Sequence, residues 1–251
     1  ALPICSYKKY TKKRNRPSRN TRRTYKKKTK LLKGISHNRI TGALATTFSD
    51  PFKSKMFVKL VYGDDIRMYG ATGGPVGLTG AVQQFRLNSI FDPDLTGIGH
   101  QPYGHDTLAT MYKKYKVSGC LVELTFTDPS ADGMFVAVQA VGPGNIYTLN
   151  NRDLGEVKEK PLTVTRSMND SGKQVQYIKS YIPIAALSGL TPLQFKSDMD
   201  LFAANIGTNP AAIPKLNIAV GNLRSNNQDV YMNVKLTYYC QVYDRSTLIQ
   251  S

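Results

Sequence analysis

Val230-Tyr231-Met232-Asn233-Val234-Lys235-Leu236-Thr237-Tyr238-Tyr239-Cys240-Gln241-Val242-Tyr243 is the stretch that decides the fold. In an extended chain, successive side chains point to opposite faces. Tyr231, Asn233, Lys235, Thr237 and Tyr239 then share one face, and Met232, Val234, Leu236, Tyr238 and Cys240 share the other. A period of two with one apolar row is the mark of a strand lying on a core.

Seven more runs of this kind precede it: Met56–Tyr62, Val82–Leu87, Lys116–Thr127, Met134–Val141, Pro161–Arg166, Gln176–Ile184 and Lys215–Asn222. All are short, rich in Val, Ile, Leu, Tyr and Phe, and bounded by turn residues, the pattern of an antiparallel sandwich or barrel. Asp128-Pro129-Ser130-Ala131-Asp132-Gly133 supplies turn dihedrals between the third and fourth runs, which are expected to form a hairpin. Two stretches carry helical spacing. In Asp106–Lys116, Leu108, Met111, Tyr112 and Tyr115 recur on one face with Asp106 as the cap; in Pro192–Phe202, Pro192 sits in the first turn. Eight strands with one helix between the second and third give an all-β, eight-stranded jelly-roll sandwich. Its long loops, 63–81, 88–115, 142–160 and 185–214, would cluster at the ends or cover an outer face.

Charge divides the chain. The net charge is +17, yet residues 1–49 hold fifteen Lys or Arg and no carboxylate, and residues 50–251 balance 19 basic against all 17 acidic side chains. We read 1–49 as a basic arm and linker, disordered when free because like charges at this density cannot collapse on themselves, and 50–251 as the folded domain. Lys8, Lys9, Lys12, Lys13, Arg14, Arg16, Arg19, Arg22, Arg23, Lys26, Lys27, Lys28, Lys30 and Lys33 are the candidate phosphate contacts. Each cation bound to a phosphate backbone releases condensed counterions, so binding is salt-sensitive and indifferent to sequence. Tyr25, with Tyr7 and Tyr10, interleaves the charges and suits stacking on the unpaired bases of a single strand. Lys12-Lys13-Arg14 and the basic run 22–28 also read as signals for a nuclear import receptor.

Other classes find little support. No apolar run reaches the ~18 residues needed to span a bilayer, and no signal peptide is read, so no membrane insertion is expected. Cys5, Cys120 and Cys240 have no metal-ligand spacing and suit a reducing site of synthesis. Asn169-Asp170-Ser171 is a chance match to a glycosylation triplet. Gly70–Gly80 lacks the Lys-Ser/Thr of a phosphate loop and reads as a flexible surface loop. Asp92, Asp94, His100, His105 and Asp106 form the one cluster that invites a metal or general-base reading. Its spacing matches no zinc signature, so Asp92-Pro93-Asp94 is read as a turn and the histidines as ordering a loop against a neighbouring subunit. No enzyme activity, cofactor or metal is assigned. A hydrolase built on this cluster and a cellular nucleic-acid-binding protein with a basic tail are the rival readings.

Phe85-Arg86-Leu87-Asn88-Ser89-Ile90-Phe91-Asp92-Pro93-Asp94-Leu95-Thr96-Gly97-Ile98-Gly99-His100-Gln101-Pro102-Tyr103-Gly104-His105-Asp106, followed by Leu108, Met111-Tyr112, Tyr115 and Val117, resembles a segment of the capsid proteins of small circular Rep-encoding single-stranded DNA viruses. There the pattern leads out of an early strand into a short helix and then a strand. The resemblance implies a single jelly roll, self-assembly into an icosahedral virion, and genome contact by the arm and the inner face; the basic runs of the arm add an expected passage through the host nucleus. Single-stranded DNA is the favoured genome; coat proteins of small RNA viruses share part of the layout. A shell of ~60 copies would carry ~900 arm charges, a substantial fraction of the phosphates on a strand of roughly one to two thousand nucleotides.

Overall fold

The computed structural model describes residues 52–69, 77–78, 82–129, 133–145, 149, 152–168, 174–197, 201–222 and 229–247. The arm, residues 1–49, lies outside them, as do Asn169-Asp170-Ser171 and Gly70–Gly80 apart from residues 77 and 78.

Among the described residues the strands are β1 (Lys55–Tyr69), β2 (Gly77–Leu78), β3 (Val82–Arg86), β4 (Tyr112–Thr127), β5 (Met134–Val141), β6 (Arg152–Asp153), β7 (Thr163–Met168), β8 (Val175–Pro183), β9 (Ala203–Asn205), β10 (Lys215–Asn222) and β11 (Asp229–Arg245). One sheet runs β1-β11-β4-β8, with β9 also paired to β4; the other runs β3-β10-β5-β7; β2 and β6 make a small separate pair. Every pairing is antiparallel. The eight long strands correspond to the eight apolar runs, and their division between two four-strand layers is that of a double-sheet jelly roll.

Strand β11 fixes the register. Val230, Met232, Val234, Leu236, Tyr238, Cys240 and Val242 are each at most 1% exposed. Burying a large apolar side chain is worth ~1.5–3 kcal/mol, so a one-residue slip that turned all seven into water would cost as much as the ~5–15 kcal/mol that holds a domain folded. Ser118 is the extra residue of a bulge in β4: Tyr239 pairs with Gly119 but Cys240 pairs with Val117, and the Ser118 hydroxyl donates to the Tyr239 carbonyl at 2.9 Å.

The expected hairpin between the third and fourth runs does not form. Strand β4 has β11 on one edge and β8 on the other, and beyond Asp128, whose N–H still bonds the Gln174 carbonyl at 2.9 Å, the chain leaves for the second sheet. All eight residues of β5 are buried, which demands a central strand covered on both faces. Turn chemistry at Pro129 and Gly133 ends a strand without choosing its partner.

The helical readings also shorten. Helix α1 spans His105–Met111, and Tyr112 to Lys116 already belong to β4. Tyr112 and Tyr115 recur at helical spacing, but they are buried from an irregular strand end opposite Arg245 and Val242. The N-cap is Gly104, at φ 85, a left-handed conformation that suits glycine; Asp106 makes no cap bond. Helices α2 (Leu154–Glu159) and α3 (Ile184–Leu187) fall in stretches read as loops, and α4 is Pro192–Ser197. Before α4, Thr191 and Gln194 form a reciprocal capping box: Thr191 N–H donates to Gln194 Oε1 at 2.9 Å and Gln194 N–H to Thr191 Oγ1 at 3.3 Å.

The two sheets differ on their outer sides. Phe135, Ala137 and Ala219 of the second sheet pack outward against Leu149, Val157 and Leu154, so the insert at 142–160 covers that face with α2. On the first sheet the outer-row Lys116 is buried, its Nζ bonded to the Phe195 carbonyl of α4 and 4.3 Å from that ring, while Phe57, Tyr69, Tyr177 and Tyr231 of the same face stay exposed.

Candidate nucleic-acid interface

None of the arm residues named above can be placed, since all lie outside the described residues. The folded domain nevertheless offers a surface of related chemistry. The outer face of the first sheet is set in cross-strand rows: Lys59 beside Tyr239; Gly63, Lys235, Glu123 and Lys179 in line; Asp65, Asn233, Thr125 and Tyr177 in line. Phe57, Tyr69, Tyr177, Tyr181 and Tyr231 stand exposed on it, Phe57 the most at 80%. Six exposed cations, Lys55, Lys59, Arg67, Lys114, Lys179 and Lys235, and the buried Lys116 share this face with three carboxylates, Asp65, Glu123 and Asp229.

The acids are engaged. Glu123 accepts from Lys179 Nζ at 2.8 Å and the Tyr177 hydroxyl at 3.0 Å, with Lys235 Nζ 3.5 Å from its other oxygen. The Lys179 and Tyr177 hydrogen bonds hold the Glu123 carboxyl down to about 2, and the same contact raises Lys179. Asp229 pairs with Arg67, and Asp65 accepts from Asn233 Nδ2 at 2.6 Å. Lys59 Nζ lies 5.1 Å from the Tyr239 ring centroid, and the Arg67 guanidinium lies at the same distance over Tyr69. Cations beside exposed rings are the groups that take phosphate and stacked base from a single strand. Charge counting along the chain misses this face, because its lysines are scattered; the alternation in β11, which sets Tyr231, Lys235 and Tyr239 on one side, is the signal that carried it.

The segment from Asp92 to Asp106 is structural. Asp94 accepts from the Thr96 N–H at 2.9 Å, the Thr96 hydroxyl at 2.6 Å and Gln83 Nε2 at 2.8 Å, a turn closed by its own side chain. Asp92 instead pairs with Arg86 Nη1 at 2.8 Å, and the same nitrogen donates to the Asp92 and Asp94 carbonyls. The histidines do order this loop through contacts within the chain. His100 stacks on Tyr62 at 4.7 Å between centroids, and buried His105 reaches the Ile206 carbonyl through Nε2 and Asp106 through Nδ1, each at 3.0 Å. Cys120 and Cys240 are free thiols buried in the core; burial pushes both up, Cys240 to about 12.

No family model matches the chain, and no curated protein matches it. Solved structures do. The decameric BFDV capsid protein is 11% identical, with 76% of this chain and 99% of that one covered at a TM-score of 0.43. The semi-empty virus-like particle of the Macrobrachium rosenbergii nodavirus is 8% identical, over 80% of this chain and 100% of that one, at 0.44. Mud crab tombus-like virus is 10% identical, over 84% and 100%, at 0.44. Each is a likeness of this chain to another, and what this chain does is read from its own charge and surfaces.

Proposed function

We propose that the chain is a viral coat protein whose jelly roll assembles with copies of itself into a closed shell and whose basic arm, residues 1–49, holds a single-stranded genome. The observation that carries this reading is the segregation of charge: fifteen cations without one carboxylate in the arm, joined to a domain, residues 50–251, of net +2. A nearly neutral body can pack against copies of itself without strong repulsion, and the arm meets the phosphates. The outer face of the first sheet, with Lys59, Lys179, Lys235 and its exposed tyrosines, adds a second, fixed contact with the same strand. The resemblance over residues 85–106 favours DNA, and the basic runs of the arm favour a nuclear stage in which they meet an import receptor before assembly buries them.

Electron microscopy of the purified protein tests the shell, and nuclease-protected nucleic acid recovered with it tests the cargo. Closed particles containing single-stranded DNA are expected. A monomer that persists across salt and pH, binding nucleic acid without forming particles, would overturn the reading in favour of a cellular binding protein.

A further inference from the structure

Among the described residues, β7 and β8 are the last strands of their sheets on one side of the sandwich, and between them a cavity of about 410 Å³ enters the core. Val122 and Ile178 line it from the first sheet, Val138, Ala140 and Val164 from the second, and Leu187 of α3 from the end. Along the cleft Val138 and Ile178 keep 6% exposure and Ala140 9%, and Leu162 and Ser180 are exposed at its mouth.

Its chemistry narrows the occupant. Among the described residues the lining has no charged side chain; its polar side chains are the hydroxyls of Thr163, Ser180 and Tyr181. At the rim Leu162 is 64% exposed and held at φ 57, a conformation that costs leucine energy. A void of ~150 Å³ walled by aliphatic groups already takes up benzene, and ligand pockets run from ~300 to ~1,000 Å³. This cleft is of ligand size, apolar within, and furnished with hydroxyls for one neutral polar group. A carboxylate or ammonium would enter without a partner.

We propose that the cleft between β7 and β8 binds one neutral aliphatic molecule, of the class of long-chain alcohols and monoacylglycerols, its chain between the sheets and its hydroxyl at the rim beside Ser180 and Thr163. Bound there it bridges the two layers at their open edge, and because it binds the folded state alone it raises the unfolding temperature.

The test uses full-length protein, both as shells and as dissociated subunits, with 1-dodecanol as the probe and dodecanoate as the charged control. One dodecanol retained per chain in native mass spectrometry is expected, with a melting point several degrees higher and dodecanoate about tenfold weaker. Ala140→Leu fills the cleft and should abolish the shift. Ala186→Phe, at an exposed rim position, blocks entry without altering the core and should do the same. No binding by wild type, or an equal shift in both variants, overturns the proposal. Binding by subunits but not shells also overturns it, and assigns the cleft to a neighbouring copy.

Discussion

Tyr238, in the middle of β11, donates its hydroxyl to the backbone carbonyl of Arg86 at the end of β3, 2.8 Å away, and so ties the two sheets to each other through the core. The ring is fully buried, and desolvation drives the phenol well above its ordinary range, so it stays a donor at any working pH. Tyr238→Phe keeps the packing and removes the donor, leaving a buried carbonyl without this partner. The expected loss is ~1–3 kcal/mol in urea unfolding, with unchanged far-ultraviolet circular dichroism.

Two glycines should respond differently to the same added methyl. A Cβ at Gly142 would stand 2.7 Å from the Leu187 carbonyl, a backbone atom of α3 with no room to retreat. At Gly119 the obstacle is the ring end of Tyr181, a half-exposed side chain that can swing aside. Gly142→Ala is expected to cost ~1–3 kcal/mol and Gly119→Ala clearly less, as compared by denaturation midpoints.

Glu123 gives a pH signature. Its folded carboxyl is held near 2, below the ~4.3 of an unfolded glutamate, by Lys179 and Tyr177. A depressed carboxylate contributes stability above the unfolded value, and that contribution is lost as pH falls toward the folded one. Glu123→Gln should therefore be less stable than wild type at pH 7, with the difference shrinking between about pH 4 and pH 2. A constant difference between urea midpoints across that range would show that the ion cluster is not its source.

Deleting residues 1–33 removes fourteen of the arm's fifteen cations and sheds no residue of the sandwich. The truncated protein should keep its β-rich circular dichroism and lose most of its nucleic acid, read as a fall in the 260/280 nm absorbance ratio and in nuclease-protected material. Normal packaging by this variant would contradict the role given to the arm.

The strands were legible in the sequence because their signal is local. Met134–Val141 and Lys215–Asn222 were bounded to the residue, since each is a mostly apolar run between turn residues. Partner choice is not local: nothing in Asp128–Gly133 says whether the next strand returns beside β4 or crosses to the other layer. Strand β1 was expected to stop at Tyr62, ahead of a loop at 63–81, yet pairing with β11 carries it to Tyr69, with Gly63 opposite Lys235 and Asp65 answered by Asn233. For the site, the arm was visible as a block of charge. The lysines and tyrosines of the sheet face were not, because they meet only when four strands lie side by side.

Buried thiols give the sandwich a clock of its own. Cys120 and Cys240 sit on neighbouring strands with exposures of 0% and 1%, and reaction requires both access and a thiolate, which burial denies them. An alkylating reagent can reach them only when β4 and β11 part from the opposite layer. The rate at which these two cysteines become labelled thus measures how often the sandwich opens, without any probe having to be engineered into it.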